Sequence, residues 1–170
     1  MREKFWKWFC LNANEYNLYF ICCDLWRFDI PINIKHRVID LITAEDLVWP
    51  VAAGIARNKA KVFVYGVSFF NIGRLESLRS EMVHSGLSCY ILNAGKYGYD
   101  KYGPSHAFYE DDDIKIMKSL HKNIEILDEP SDEVLYGSLN EFKSFKTTKE
   151  LCSNITLCDQ KILYLRLGKD

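Results

Sequence analysis

The chain alternates short apolar segments with longer segments of helical periodicity, and this alternation limits the possible folds more than any other feature. Five apolar segments, each bounded by polar or turn residues, are predicted strands: 18–23, 62–65, 88–92, 124–127 and 162–167. Helical patterns are found at 2–14, 45–58, 72–84, 113–120 and 132–142. Continuous apolar strands that alternate with helices are typical of a parallel sheet covered on both faces. The sequence therefore predicts an α/β fold with an open, mainly parallel sheet.

The length and composition favour one domain over residues 1–170. The chain has 170 residues and is 48% hydrophobic, which is enough apolar mass for a real core. Its net charge of -1 makes a nucleic-acid partner a poor hypothesis. No stretch approaches the roughly 18 consecutive apolar residues of a membrane span, and the N-terminus lacks the apolar core of a signal peptide. We therefore expect a cytoplasmic protein with no membrane partner.

Six cysteines raise the question of disulfides or a metal site. Several of them lie within apolar, strand-like segments, so free buried thiols are the better interpretation. Cys152 and Cys158 come nearest to a metal-binding spacing, but they lack the close pairing of zinc sites and no histidine lies near them. We predict no metal ligands in this chain.

Glu45 is the residue whose surroundings first indicate chemistry. It opens an apolar, small-residue helical segment that runs to Ala56, with Thr43 as a possible N-cap. Apolar neighbours raise the pKa of a carboxyl group, which suits it to proton exchange near neutral pH. An acid in the first turn of a helix is equally explained by the helix dipole. Composition alone favours this second interpretation.

An ordered set of motifs favours the catalytic interpretation of Glu45 over the helix-dipole interpretation. Arg37-Val38-Ile39-Asp40, Ala44-Glu45 and Ala52-Ala53-Gly54-Ile55-Ala56 resemble the run R-x-x-D, A-E, A-A-G-L-A of the pyrimidine-binding domain in transketolases and deoxyxylulose-phosphate synthases. Further matches follow in order: Phe69-Phe70 with Arg74 and Arg79, Gly103-Pro104-Ser105-His106 with Glu110-Asp111, residues 116–132, and the closing segment 163–168. The resemblance covers nearly the whole chain.

The resemblance implies a cofactor and a set of site residues. In that family a glutamate hydrogen-bonds the aminopyrimidine of thiamine diphosphate and favours its reactive tautomer, and Glu45 matches that position. Phe69 or Phe70 is expected to stack on the pyrimidine, one of the two being ordinary core. His106 matches the loop histidine that faces substrate hydroxyl groups. The acidic run 110–113 is better explained by the dipole of the helix that it opens than by a metal.

Departures from the family pattern indicate an incomplete enzyme. Pro50 stands where the family has a small residue, so the helix either kinks or starts near Pro50 with Glu45 in the loop ahead. The family's Gly-Asp-Gly motif, which holds the diphosphate and Mg²⁺, is absent. The resemblance therefore implies that the diphosphate-binding and C-terminal domains are missing. We expect a split enzyme in which a partner subunit supplies the diphosphate domain and Mg²⁺, with self-association as well.

Three functions remain open from the sequence. The first is a subunit of a split transketolase-like enzyme that acts on a sugar or a related 2-oxo compound, which the Gly-Pro-Ser-His segment favours. The second is a subunit of a split 2-oxo-acid decarboxylase or dehydrogenase, which Glu45 would serve equally well. The third is a non-catalytic remnant that keeps the fold as a binding module.

Overall fold

A six-stranded sheet, parallel throughout, forms the centre of the computed structural model, which describes residues 1–23, 28–94, 111–122, 124–145 and 160–167, apart from the side chains of 68 and 69. The strands are β1 Leu18–Cys22, β2 Val38–Asp40, β3 Lys61–Val67, β4 Cys89–Ala94, β5 Ile124–Asp128 and β6 Ile162–Leu167. Their order across the sheet is β2-β1-β3-β4-β6-β5, and every neighbouring pair is parallel. The predicted α/β fold class is confirmed.

Helices and short helical turns connect the strands. The α-helices in the described residues are α1 Arg2–Asn12, α2 Val48–Arg57, α3 Ser68–Gly73, α4 Leu75–Leu78, α5 Asp112–Leu120 and α6 Asp132–Ser144. Two 3₁₀ turns, Ile32–Arg37 and Glu45–Leu47, and a π-helical segment, Arg79–Val83, complete them. Ser131 caps α6 by accepting a hydrogen bond from the Val134 amide at 3.4 Å. None of these helices is long and apolar enough to cross a bilayer.

The two faces of the sheet bury different cores because successive strand side chains point in opposite directions. In β3, Val62 and Val64 pack under α2, α4 and α5, whereas Phe63 and Tyr65 pack under α1 and α6. The second core is largely aromatic, with Phe63 5.4 Å from Phe5 between ring centroids. Helices therefore cover both faces, which explains why the strands read as continuous apolar segments.

The structure differs from the sequence prediction at one strand and two helices. The short edge strand β2 was not predicted, because its three residues are half-buried or exposed and give too brief an apolar signal. The helical pattern at 72–84 is several short segments, since the backbone breaks at Arg74, with φ -111° and ψ 37°.

Helix α2 begins at Val48, so Pro50 lies in its first turn, where no backbone donor is needed. Thr43 does not cap it.

The described cysteines are free thiols. Cys22, Cys23 and Cys89 are buried and Cys10 is half-buried. Burial raises the pKa of Cys89 to about 12, so this thiol is protonated at neutral pH. Cys152 and Cys158 lie outside the described residues. The prediction of free thiols is confirmed for the four cysteines that the structure describes.

Candidate functional site

The strand order places a topological switch point between β1 and β3. The chain passes from β1 to β2 on one side and then crosses to β3 on the other side of β1. In open α/β folds, ligands bind in the crevice that such a reversal leaves at the carboxyl ends of the strands. The segments that follow β1, β2 and β3 therefore form the candidate site.

Glu45 lies at this edge of the sheet. It begins the 3₁₀ turn Glu45–Leu47, five residues beyond the end of β2, and its side chain is half-buried. Helix α2 follows directly and packs its apolar face, including the fully buried Trp49, onto the sheet. The carboxylate thus stands in the loop ahead of the helix, which was one of the two arrangements that Pro50 allowed.

The pKa of Cys23, which lies just beyond β1, depends on the charges at this site. Its side chain is 7% exposed and shares the core under α2. Burial and the nearby carboxylates of Glu45 and Asp40 raise the pKa of the Cys23 thiol to about 11, while Arg74 opposes them. The Cys23 thiol is therefore within electrostatic range of charged side chains from two other segments. Cys23 itself stays a neutral thiol at physiological pH.

An ion pair joins the Glu45 turn to the corner between α3 and α4. The Nε of Arg74 donates to Oδ1 of Asp46 at 2.7 Å, and the Asp46 side chain is 84% exposed. An exposed pair of this kind contributes only about 0–1 kcal/mol. It still shows that the loop after β2 and the segment after β3 meet at the switch point.

A strained turn precedes Glu45. The Ala44 amide donates to the Leu41 carbonyl at 2.9 Å, and Ile42 has φ 56°. A positive φ at the second residue alone is the pattern of a type II′ turn, where glycine is favoured. Oδ1 of Asp40 accepts the Ile42 amide at 2.9 Å, and the Leu41 amide donates to the Cys22 carbonyl at 2.9 Å. The turn is thus tied to the ends of both β2 and β1.

Helix α3 follows β3 without a connecting loop and carries the predicted aromatic pair. Phe70 is half-buried, and Phe69 belongs to the same helix. The helix is fastened by a buried amide pair, in which Nδ2 of Asn71 donates to Oδ1 of Asn93 at 3.3 Å. Gly66 makes room for this pair, because a Cβ there would lie 2.9 Å from Oδ1 of Asn71. The structure thus brings Glu45 and Phe70 to the ends of nearby strands.

His106 lies outside the described residues, so its predicted role stays a prediction. The described residues contain no group of three or more His, Cys, Asp or Glu side chains arranged to hold a metal ion.

The described acids at the start of α5 lie where the helix dipole favours negative charge, and two of them also pair with Arg166. Asp113 is 1% exposed and accepts two hydrogen bonds from Arg166, from Nε at 3.1 Å and Nη2 at 3.0 Å. Nη1 of Arg166 also donates to Asp111 at 3.0 Å and Asp128 at 3.3 Å. Burial opposes the charged form, but the three carboxylates outweigh it and raise the pKa of Arg166.

Comparison with known proteins gives a similarity of fold. The structure matches a solved chain described as "Split gene transketolase, inactive beta4 tetramer", with a TM-score of 0.72 and 17% sequence identity. The match covers 98% of this chain and 50% of that chain, so this chain spans about half of its length. No protein-family model matches the sequence, and no curated protein matches it significantly. The fold is an open parallel sheet of the transketolase pyrimidine-domain type.

Several residues at the site were not singled out from the sequence. Cys23 gave no signal because it ends an apolar segment like any core residue. Asp46 gave no signal either; Arg74 belonged to a matched motif, but its partner 28 positions away could not be predicted, because the crossover from β2 to β3 brings the two together. Asn93 did carry a signal, since a polar residue near the carboxyl end of a buried strand points to a site in this class of fold.

Proposed function

We propose that this chain is the pyrimidine-binding subunit of a split transketolase-like enzyme that uses thiamine diphosphate. The observation that carries the proposal is the position of Glu45, whose half-buried carboxylate lies at the switch point of a sheet of the transketolase pyrimidine-domain type. In this proposal residues 1–170 supply the pyrimidine site, and a partner chain supplies the diphosphate-binding domain and Mg²⁺.

The chemistry of the described side chains fits an aminopyrimidine ring. Such a ring needs an acidic group at one ring nitrogen and a flat apolar side chain against its face. Glu45 and Phe70 offer these two groups from segments that follow β2 and β3. The neighbouring thiol of Cys23 is neutral and adds no competing charge. The local arrangement therefore suits a planar, weakly basic heterocycle.

Thiamine diphosphate, when bound, would supply an acidic carbon that, once deprotonated, is nucleophilic towards the carbonyl group of a ketose or related 2-oxo substrate. The task of Glu45 is to hold a proton between its carboxylate and a ring nitrogen, which supports the basic tautomer of the aminopyrimidine. Phe69 or Phe70 orients the ring so that this hydrogen bond can form. His106, which lies outside the described residues, would donate to or accept from substrate hydroxyl groups.

The comparison also supports a requirement for association. The solved chain of similar fold is described as an inactive tetramer of β chains. We propose that this chain likewise self-associates and is inactive until it meets its partner. A transketolase-like reaction is favoured over a 2-oxo-acid decarboxylase by the Gly-Pro-Ser-His segment at 103–106.

The isolated chain should bind thiamine diphosphate negligibly. Ring stacking contributes about 0.5–1.5 kcal/mol, and one charged hydrogen bond adds roughly 1.5–3 kcal/mol. The free-energy cost of association is about 4–15 kcal/mol, which offsets these favourable contributions. Calorimetric titration with Mg²⁺ present should therefore give a Kd of about 1 mM or weaker. Micromolar binding by the purified chain would contradict the proposal that a partner holds the diphosphate.

His106→Ala should reduce turnover in the reconstituted enzyme and leave cofactor affinity within about threefold, because the proposed contact of His106 is with substrate. Losing one catalytic hydrogen-bonding group typically costs about 10²–10³ in kcat. Steady-state kinetics and cofactor titration of the same preparation measure the two effects separately. A variant that loses cofactor affinity but keeps its turnover at saturating cofactor would show that His106 was assigned to the wrong ligand.

A further inference from the structure

The turn Leu41–Ala44 is an unfavourable conformation that its neighbours hold in place. Ile42 combines a φ of 56° with a β-branched side chain that is 63% exposed. Positive φ is rare for β-branched residues, and such strain persists only where surrounding contacts impose it. Here the fixed contact is the carboxylate of Asp40, which accepts the Ile42 amide at 2.9 Å.

The direction of this turn decides where Glu45 lies. The Leu41 amide is bonded to the Cys22 carbonyl, so the chain leaves β2 alongside the end of β1. The Ala44 and Leu47 amides then donate to the carbonyls of Leu41 and Ala44, at 2.9 and 3.0 Å. Glu45 sits between these two bonds, and a different turn would aim it away from Cys23. Asp40 is itself exposed.

We infer that Asp40 is a positioning residue for Glu45: its carboxylate holds the strained turn at Ile42 and thereby keeps the Glu45 carboxylate at the switch point. The catalytic meaning of this inference rests on the proposed function, whereas the structural relation does not. Asp40 is the last residue of β2 and is exposed.

Three variants separate the hydrogen bond of Asp40 from its charge. Asp40→Asn removes the charge but keeps an oxygen that accepts the Ile42 amide. Asp40→Ala removes both. Asp40→Ala combined with Ile42→Gly removes both but lets a glycine adopt the positive φ without an anchor. Ile42→Gly alone is the matched control, since it relieves the strain and leaves Asp40 in place.

The Cys23 thiol of the isolated chain provides the readout, because its pKa responds to both Asp40 and Glu45. It can be titrated by carbon-13 NMR of cysteine-labelled protein, with circular dichroism as the folding control. Asp40→Asn should lower the pKa through the lost charge alone. Asp40→Ala should lower it by about 0.5 unit or more beyond Asp40→Asn, because Glu45 moves away as well. The Cys23 pKa of the double variant should equal that of Asp40→Asn, and the Cys23 pKa of Ile42→Gly should equal that of wild type.

Equal Cys23 pKa values in folded Asp40→Asn and Asp40→Ala would overturn the inference, as would a double variant that stays at the Asp40→Ala value. In the reconstituted enzyme, hydrogen-deuterium exchange at the cofactor's thiazolium carbon should follow the same order. Asp40→Ala should be about 10²-fold slow, since a misplacement of roughly 1 Å costs that much, and Ile42→Gly should restore the rate. Absent exchange in wild type would refute the proposed function, while the thiol titration would still decide the role of Asp40.

Discussion

Glu45→Gln is expected to slow hydrogen-deuterium exchange at the thiazolium carbon of bound cofactor by about 10²–10⁴, the usual contribution of general acid-base catalysis. The glutamine amide keeps the size of the side chain and much of its hydrogen bonding, but it cannot share a proton with the ring nitrogen. At 1.36 kcal/mol per tenfold change, the loss corresponds to roughly 3–5 kcal/mol of barrier. The measurement uses the complex of both chains, loaded with cofactor and Mg²⁺.

The fold should survive this change, because Glu45 is only half-buried and begins a short 3₁₀ turn. Removing a charge at such a position costs a dipole contribution of about 0.3–1 kcal/mol. Glu76→Gln is the matched control, since Glu76 is an exposed acid on α4 whose partner is Arg79. Its exchange rate should equal that of wild type. A folded, cofactor-loaded Glu45→Gln enzyme with exchange unchanged within threefold would show that Glu45 is only an acid at the start of a helix.

Arg166→Met should lower the free energy of unfolding by about 3–5 kcal/mol, the cost of breaking a buried ion pair from one side. Arg166 and Asp113 are each 1% exposed, so the carboxylate would be left buried without its cation. The Tyr164 hydroxyl, which donates to Oδ2 of Asp113 at 2.8 Å, cannot replace a charge. Asp111 and Asp128 are more exposed and can be solvated. Urea unfolding followed by circular dichroism measures the loss.

Replacing both partners tests whether the uncompensated charge causes the loss. Arg166→Met with Asp113→Leu should recover most of the stability, because well-packed apolar residues often substitute for a buried pair at little cost. Arg57→Met is the matched control, since Arg57 pairs with Glu81 at 3.3 Å on the surface and such pairs contribute about 0–1 kcal/mol. A loss below about 1 kcal/mol for Arg166→Met alone would contradict this account.

The fold class could be predicted because it depends on local patterns. Each long strand is a continuous apolar segment, and each long helix shows its own periodicity, so the elements can be recognised without knowing their neighbours. The edge strand β2 could not be predicted, since its three residues bury little and their pairing with β1 is a long-range contact.

For the site, the sequence identified Glu45 as the candidate acid and supplied the resemblance that suggests its chemistry, but it left open whether Glu45 lies in the helix or in the loop ahead of it. The surroundings of Glu45 depend on the assembled sheet. The strand order brings Cys23, Arg74 and the turn at Ile42 to one edge, and the same packing turns Asp113 from a helix-start acid into the buried partner of Arg166. Side chains far apart in the chain meet only when the sheet assembles, so no local sequence pattern indicates which charged side chain will lie beside another.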